Sequence, residues 1–459
     1  MTLARASAVW PPFAALVLAA LWPLSAHAVN PVALPAMLAM AAGALVIADR
    51  PEWGIAVVLG LAPLTNLEID ESKPLHLILP ALAGGVLLYA TLVTRSRLAP
   101  AGHSGVAAAV IFFSVAALTS ALFAIDPGAS VTRLFVVLTA ATLFFAVTQL
   151  ADERRRLEVV LYGVLLGLLV AAVHGISQQV LNAFGPSGGV LISGEVINRV
   201  QGSFGHPNTY AGYLAILMPL AAAVALTREA SPRLRAVGAA TFLLAVQPLI
   251  FSFTRGAIVA IVAGSLLWLA VVRPRSVIIV AAVIAVLGVS FAPAALRERL
   301  QIDEAGGDIG LRMDIWQSAL DIYERSPVVG VGLNNFEIAY ASLPSTISAG
   351  SQRRLLHQSQ LLVPPHANNL SLNILAEQGL IGMGAFLALL GTGVALARRL
   401  TKVRDPVGRA VGIGLGCGLM VMALHSLLEI TLFGEIALPL FAMLGVDCGY
   451  LALSRERAK

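Results

Sequence analysis

The sequence predicts an all-α, polytopic transmembrane helix bundle of about 12–14 spans, on three observations. Of 459 residues, 58% are hydrophobic and only 12% are charged, where a soluble domain carries roughly 25% charged residues. Mean hydropathy is +0.86. The apolar residues also fall in blocks of about 18–25, the length that crosses about 30 Å of hydrocarbon. This composition excludes a water-soluble globule, a disordered tail and a nucleic-acid binder built on a basic face, even though the net charge is +5.

Taken in order, the blocks lie near 8–28, 32–48, 53–66, 74–94, 105–124, 129–150, 157–182, 208–227, 234–252, 254–272, 276–293, 368–397, 408–430 and 433–453. The third is short, and the second and the ninth–tenth pair could merge or re-enter. The first resembles a signal peptide, with Arg5, an apolar run from Val9 to Leu24, and Ala26-His27-Ala28 as a small-residue cleavage site. In a chain that goes on to span the membrane repeatedly, it is read as an uncleaved first helix. Cys417 and Cys448 sit inside apolar blocks without metal-ligand spacing, so they read as helix-packing thiols.

Charge sets the orientation. With the N-terminus in the cytoplasm and every block crossing, 20 of the 30 basic residues fall on cytoplasmic stretches. Six more lie in one long loop, 294–367, which is exempt from the rule, and only Lys73, Arg133, Arg199 and Arg255 remain on short outer segments. Both termini are therefore expected on the cytoplasmic side, with residues 1–459 forming one integral membrane domain. Arg199 and Arg255 work against the insertion bias. They either snorkel to headgroups or serve a site.

Two outer segments exceed a simple turn. The segment 183–207 carries Gly185, Gly188, Gly189, Gly194, Gly202, Gly205, Pro186 and Pro207, which suggests a shaped periplasmic loop rather than a helix. The larger periplasmic loop, 294–367, contains Leu311, Ile315, Ala319, Ile322 and Tyr323 at helical spacing, the pattern of a short amphipathic helix that lies on the outer leaflet or caps a cavity.

Common catalytic templates are absent: no Gly-x-x-x-x-Gly-Lys, no Gly-x-Ser-x-Gly and no His-Glu-x-x-His. Polar residues instead gather in four outer clusters. They are Arg199-Val-Gln-Gly-Ser-Phe-Gly-His206-Pro-Asn208-Thr-Tyr210, Phe251-Ser-Phe-Thr-Arg255-Gly256, Arg312 to Phe336, and Pro364-Pro365-His366-Ala-Asn368-Asn369 running on to Glu377 and Gly382. Arginines and a histidine at a membrane face suit a phosphorylated lipid, because guanidinium groups grip phosphate oxygens bidentately and keep their charge. A diphosphate leaving group needs its developing charge neutralised by metal or by arginines. With no Asp-x-Asp on the outer side, a metal-free site without cofactor is expected. His366 could take a proton from an attacking hydroxyl.

Each residue also has a plainer reading. His366 could cap its helix or meet headgroups. His206-Pro207-Asn208 could begin the next helix, with Pro207 near its first turn and Asn208 or Thr209 as cap. Glu377, two to three turns into a span, is a functional candidate or a structural pairing. Asp314 and Trp316 read as packing residues of the loop helix.

In this order, the four clusters resemble the O-antigen ligase/polymerase superfamily, membrane glycosyltransferases that use polyprenyl-diphosphate-linked glycans. The resemblance rests on Arg-x-x-Gly-x-Phe-x-His-Pro-Asn at Arg199–Asn208 and Ser-x-Thr-Arg-Gly at Ser252–Gly256. It rests also on Arg312 and Trp316 followed by Pro327, Gly330 and Gly332, and on His366, Asn368, Glu377, Gly379 and Gly382. It covers roughly 195–385; the earlier helices agree only in hydrophobicity and number.

What the resemblance implies is an inverting, metal-independent transfer at the periplasmic face. Arg199 and Arg255 would bind the undecaprenyl diphosphate of the donor, His366 would activate the acceptor hydroxyl, and Arg312 would support the loop or a phosphate. His206, Asn208, Asn368 and Glu377 join the expected substrate-binding set. The acceptor is expected to be lipid A-core oligosaccharide, making the chain an O-antigen ligase of lipopolysaccharide biosynthesis. A polymerase and a protein O-oligosaccharyltransferase share the same chemistry and differ only in acceptor. A lipid-linked sugar transporter is the non-enzyme alternative, disfavoured because the suspect residues gather at the outer face rather than the midplane.

Overall fold

The computed structural model describes residues 50–64, 104–150, 153–182, 189–192, 195–277, 305–343, 364–432 and 434–456. Blocks 8–28, 32–48 and 74–94, and all but the first two residues of 276–293, lie outside the described residues, as does the question of the first helix. Among the described residues the chain is helical but for one short hairpin. Nine of the described helices are long and apolar enough to cross a membrane.

Several helices start where the sequence supplies a cap and a proline. The short α1 (Pro51–Leu61) passes into a 3₁₀ turn at Ala62–Leu64, and α2 spans Ser104–Leu122. The helix α3 (Pro127–Gln149) opens on Asp126, whose carboxylate accepts from the N–H of Gly128 at 2.8 Å. After α4 (Arg154–Val180), the glycine-rich segment forms an antiparallel hairpin, β1 (Gly189–Ile192) and β2 (Glu195–Asn198), with Gly189 opposite Asn198.

Then follow α5 (Pro207–Leu226), α6 (Pro232–Phe251, capped by Ser231) and α7 (Arg255–Val272). The ninth and tenth blocks do not merge: the chain breaks between α6 and α7 at Phe253, whose φ of 50° is left-handed. The loop helix α8 (Ala305–Arg325) buries Ile315, Ala319 and Ile322, the stripe expected from its spacing. A single-turn α9 (Phe336–Ala341) precedes the last three spans, α10 (Leu370–Leu400), α11 (Pro406–His425, capped by Asp405) and α12 (Ala437–Glu456).

The packing centres on α11, which lies against α5, α7, α10 and α12. Its glycines allow this closeness. A Cβ at Gly414 would come within 2.6 Å of the Leu220 backbone and one at Gly418 within 2.6 Å of the Ile216 carbonyl, both on α5. Hydrocarbon gives helices no hydrophobic reason to associate, so small residues that maximise van der Waals contact take over. The free thiols Cys417 and Cys448 are buried in this interior. Apolar side chains such as Leu226, Leu243 and Val259 point outward.

The helix α10 is not continuous. At Gly379 (φ 62°, ψ −158°) the backbone leaves the helical region, freeing carbonyls and N–H groups that must find partners elsewhere. The strap Pro327–Gly332 supplies them. Val331 and Gly332 donate to the carbonyls of Ala376 and Glu377 at 3.0 Å, while Leu380 and Ile381 donate to Pro327 and Val328 at 2.9 and 3.2 Å. Gly330 is needed on two counts: φ is 74°, and a Cβ would stand 2.1 Å from the Glu377 carbonyl carbon. The strap continues into Asn335, whose amide donates to Ser130 Oγ at 2.9 Å, so the loop is stitched to α3 as well as to α10.

Candidate functional site

Two spans begin with the same device. His206 caps α5, and its Nδ1 accepts the N–H of Asn208 at 3.2 Å. His366 does the same two residues before Asn368, also at 3.2 Å, with Asn368 in the left-handed region (φ 50°). The cap of α5 is thus His206, not Asn208 or Thr209. The cap of α10 is Asn369, whose Oδ1 accepts from Leu372 N at 3.1 Å. A backbone N–H can only donate, so Nδ1 of each ring carries no proton. When the ring is neutral, its proton is on Nε2.

Arg199 follows β2 and is half-buried. Its Nε donates to the Ser252 carbonyl at 2.8 Å, and its terminal nitrogen donates to Asn208 Oδ1 at 2.6 Å and Thr254 Oγ1 at 3.0 Å. The Ser252–Gly256 motif therefore positions the guanidinium of the first motif, and the left-handed Phe253 between them sets the angle. Arg255 opens α7, and its neighbour Gly256 packs on His425, where a Cβ would lie 3.4 Å from Nδ1.

Asn208 extends the chain of contacts. With Oδ1 facing a guanidinium, its Nδ2 donates to Glu429 Oε2 at 2.8 Å. Glu429 is 1% exposed, and its other oxygen lies 3.8 Å from His366 Nε2. The loop carrying Glu429 is held from three sides. Arg312 on α8 donates to the Leu428 carbonyl at 2.7 Å, Asn369 donates to the Leu427 carbonyl at 3.1 Å, and the N–H of Leu370 donates to the Ser426 carbonyl at 2.8 Å.

Of the residues singled out from sequence, the structure joins Arg199, Asn208 and His366 in one network and brings His206 and Arg312 near it, while Arg255 directly follows Thr254, which bonds Arg199. The backbone of Asn368 belongs to that group. Glu377 has another setting: it is 4% exposed, its carboxylate accepts from the N–H of Phe336 at 3.2 Å, and its carbonyl takes Ser120 Oγ at 2.6 Å. It lies on α10 at the break that the strap Pro327–Gly332 bridges.

Electrostatics separate the roles of the groups. Burial pushes His366 below the ordinary imidazole range, Glu429 opposes that, and His206, Arg133 and Arg312 add to it. Burial works to raise Glu429, but His366, His206 and the Asn208 amide outweigh it and hold the carboxyl below its usual range. Near neutral pH the site thus presents a carboxylate, neutral rings and several arginines, a net positive surface suited to an anion. Among the described residues, no three His, Cys, Asp or Glu side chains are grouped to hold a metal ion.

Residues 239–387 match the family model described as O-Antigen ligase. Over that stretch the chain is similar to the O-antigen ligase family. The matched stretch takes in Ser252–Gly256, Arg312, the glycine strap, His366 and Glu377, while Arg199, Asn208 and Glu429 lie outside it. No curated protein matches the chain.

Sequence reasoning missed three ionisable groups of this site: Glu429, His425 and Arg133. Each left a signal. Glu429 and His425 are ionisable residues at the end of an apolar block, and such residues are candidates by default. Arg133, which donates to Asn334 Oδ1 at 2.8 Å and bears electrostatically on His366, was one of the four basic residues on short outer segments.

Proposed function

We propose that the chain is a metal-independent, inverting glycosyltransferase. It would move a glycan from undecaprenyl diphosphate to an acceptor hydroxyl at the periplasmic face of the inner membrane, ligating O-antigen to lipid A-core. The observation that carries this reading is the continuous chain of contacts from Arg199 through Asn208 and Glu429 to His366, in a protein whose residues 239–387 match the O-antigen ligase family model.

In this reading Arg199 and Arg255 hold the diphosphate, and Arg312 adds charge from α8. The acceptor oxygen attacks the anomeric carbon and its proton passes to His366. The bond from that carbon to the phosphate oxygen breaks, and the electron pair leaves on the diphosphate. Guanidinium groups fixed in place before the reaction stabilise that charge without reorganising, the usual source of electrostatic catalysis. Attack opposite the leaving group inverts the anomeric centre.

The test offers purified protein a synthetic undecaprenyl-diphosphate glycan with core lipid, a second repeat-unit lipid and a Ser/Thr peptide side by side. Transfer to core lipid, unaffected by chelator, is the expected result. Transfer to the repeat-unit lipid or the peptide alone assigns a polymerase or a protein glycosylation enzyme instead. Strict dependence on Mg²⁺ or Mn²⁺ overturns the metal-free mechanism.

A further inference from the structure

Glu429 is a buried carboxylate that the proposed transfer does not yet use. One oxygen is engaged by Asn208 at 2.8 Å and the other lies 3.8 Å from His366 Nε2. The tautomer of His366 is set by the Asn368 N–H on Nδ1, so the edge that faces Glu429 is the protonated one. Resting on the reading of His366 as the proton acceptor, we propose that Glu429 is a positioning residue: it holds the Nε2–H edge of the imidazole and keeps the Nδ1 lone pair for the acceptor hydroxyl.

The chemistry balances in one step. The acceptor O–H replaces the long 3.2 Å backbone contact at Nδ1. As the oxygen bonds to the anomeric carbon, its proton moves to Nδ1, and the carbon–phosphate oxygen bond breaks with its electron pair leaving on the diphosphate. The imidazolium so formed has Nε2–H directed at an ionised carboxylate, which compensates its charge until the proton passes to water. Because Asn208 binds Arg199 and Glu429 at once, the same carboxylate also anchors the amide that braces the diphosphate-binding arginine.

Charged or titratable groups face His366 from every side: Glu429 from the loop after α11, His206 ahead of α5, Arg133 on α3 and Arg312 on α8. Only Glu429 favours the protonated ring. Removing its charge lowers the affinity of His366 for a proton.

The experiment follows transfer from the lipid-diphosphate donor against pH for wild type, Glu429→Gln, Glu429→Asp and His366→Ala, at matched membrane abundance. For Glu429→Gln the plateau of kcat falls about 10²-fold, as for loss of general acid–base assistance. Its acid limb moves down by about one pH unit, with donor KM little changed. Misfolding would remove active protein without moving the limb. Glu429→Asp falls between wild type and Gln on both readouts. Should the Gln protein not accumulate, the Asp variant carries the test, and a wild-type plateau and limb then overturn the proposal. An inactive His366→Ala beside an unaltered Glu429→Gln sinks the role of Glu429 alone. A fully active His366→Ala sinks the reading on which it rests.

Discussion

Replacing Asn208 with leucine keeps the side-chain volume and deletes the amide that couples the two halves of the site. Two charge-assisted hydrogen bonds are lost, from Arg199 at 2.6 Å and to Glu429 at 2.8 Å. Hydrogen bonds to charged groups contribute about 1.5–3 kcal/mol each. Arg199 keeps Ser252 and Thr254, and Glu429 keeps the N–H of Ile430 at 3.2 Å, so neither charge is orphaned. That places the loss at the lower end, about 3–4 kcal/mol in total. Felt in the transition state, it is a drop of roughly 10²- to 10³-fold in kcat/KM. The assay is steady-state transfer with a purified lipid-diphosphate donor, beside a melting curve in detergent. A leucine variant within about twofold of wild type in kcat/KM would refute the coupling.

Three further outcomes follow from the same geometry. Because burial keeps His366 below the usual imidazole range near 6.5, kcat/KM should be flat from about pH 7 upward and fall only on the acid side; a continued rise between about pH 7 and 8 contradicts this. Gly330→Ala imposes a left-handed alanine and a backbone clash in the strap, costing about 3 kcal/mol or more and lowering both melting temperature and abundance; an unchanged melt argues against the strap. Asp405→Asn at the opposite end breaks the 2.8 Å contact with Arg154 but keeps the helix cap, so stability changes by less than about 1 kcal/mol and transfer is unaltered.

What the sequence disclosed and what it hid divide along physical lines. Hydropathy found the spans α2 to α7 and α10 to α12 within a few residues, because burial in hydrocarbon demands long apolar runs; the Asp-Pro and Ser-Pro steps that start α3, α6 and α11 lie two or three residues before the apolar blocks. The kink at Gly379 stayed hidden, because hydropathy does not register a change of φ. The hairpin of β1 and β2 lay in a glycine- and proline-rich segment that reads only as a loop. Arg199 was visible as a charge on the wrong side. Glu429 showed only as an ionisable residue at the end of an apolar block, because its meaning comes from Asn208, 221 residues earlier in the chain, and no local spacing encodes that contact.

A single-turnover measurement of lipid diphosphate release from a synthetic glycan donor tests the catalytic assignment most directly. With acceptor present, wild type should release it, whereas Arg199→Ala, Arg255→Ala and His366→Ala should each retain intact donor at undiminished protein abundance. Release at the wild-type rate from all three variants would contradict it.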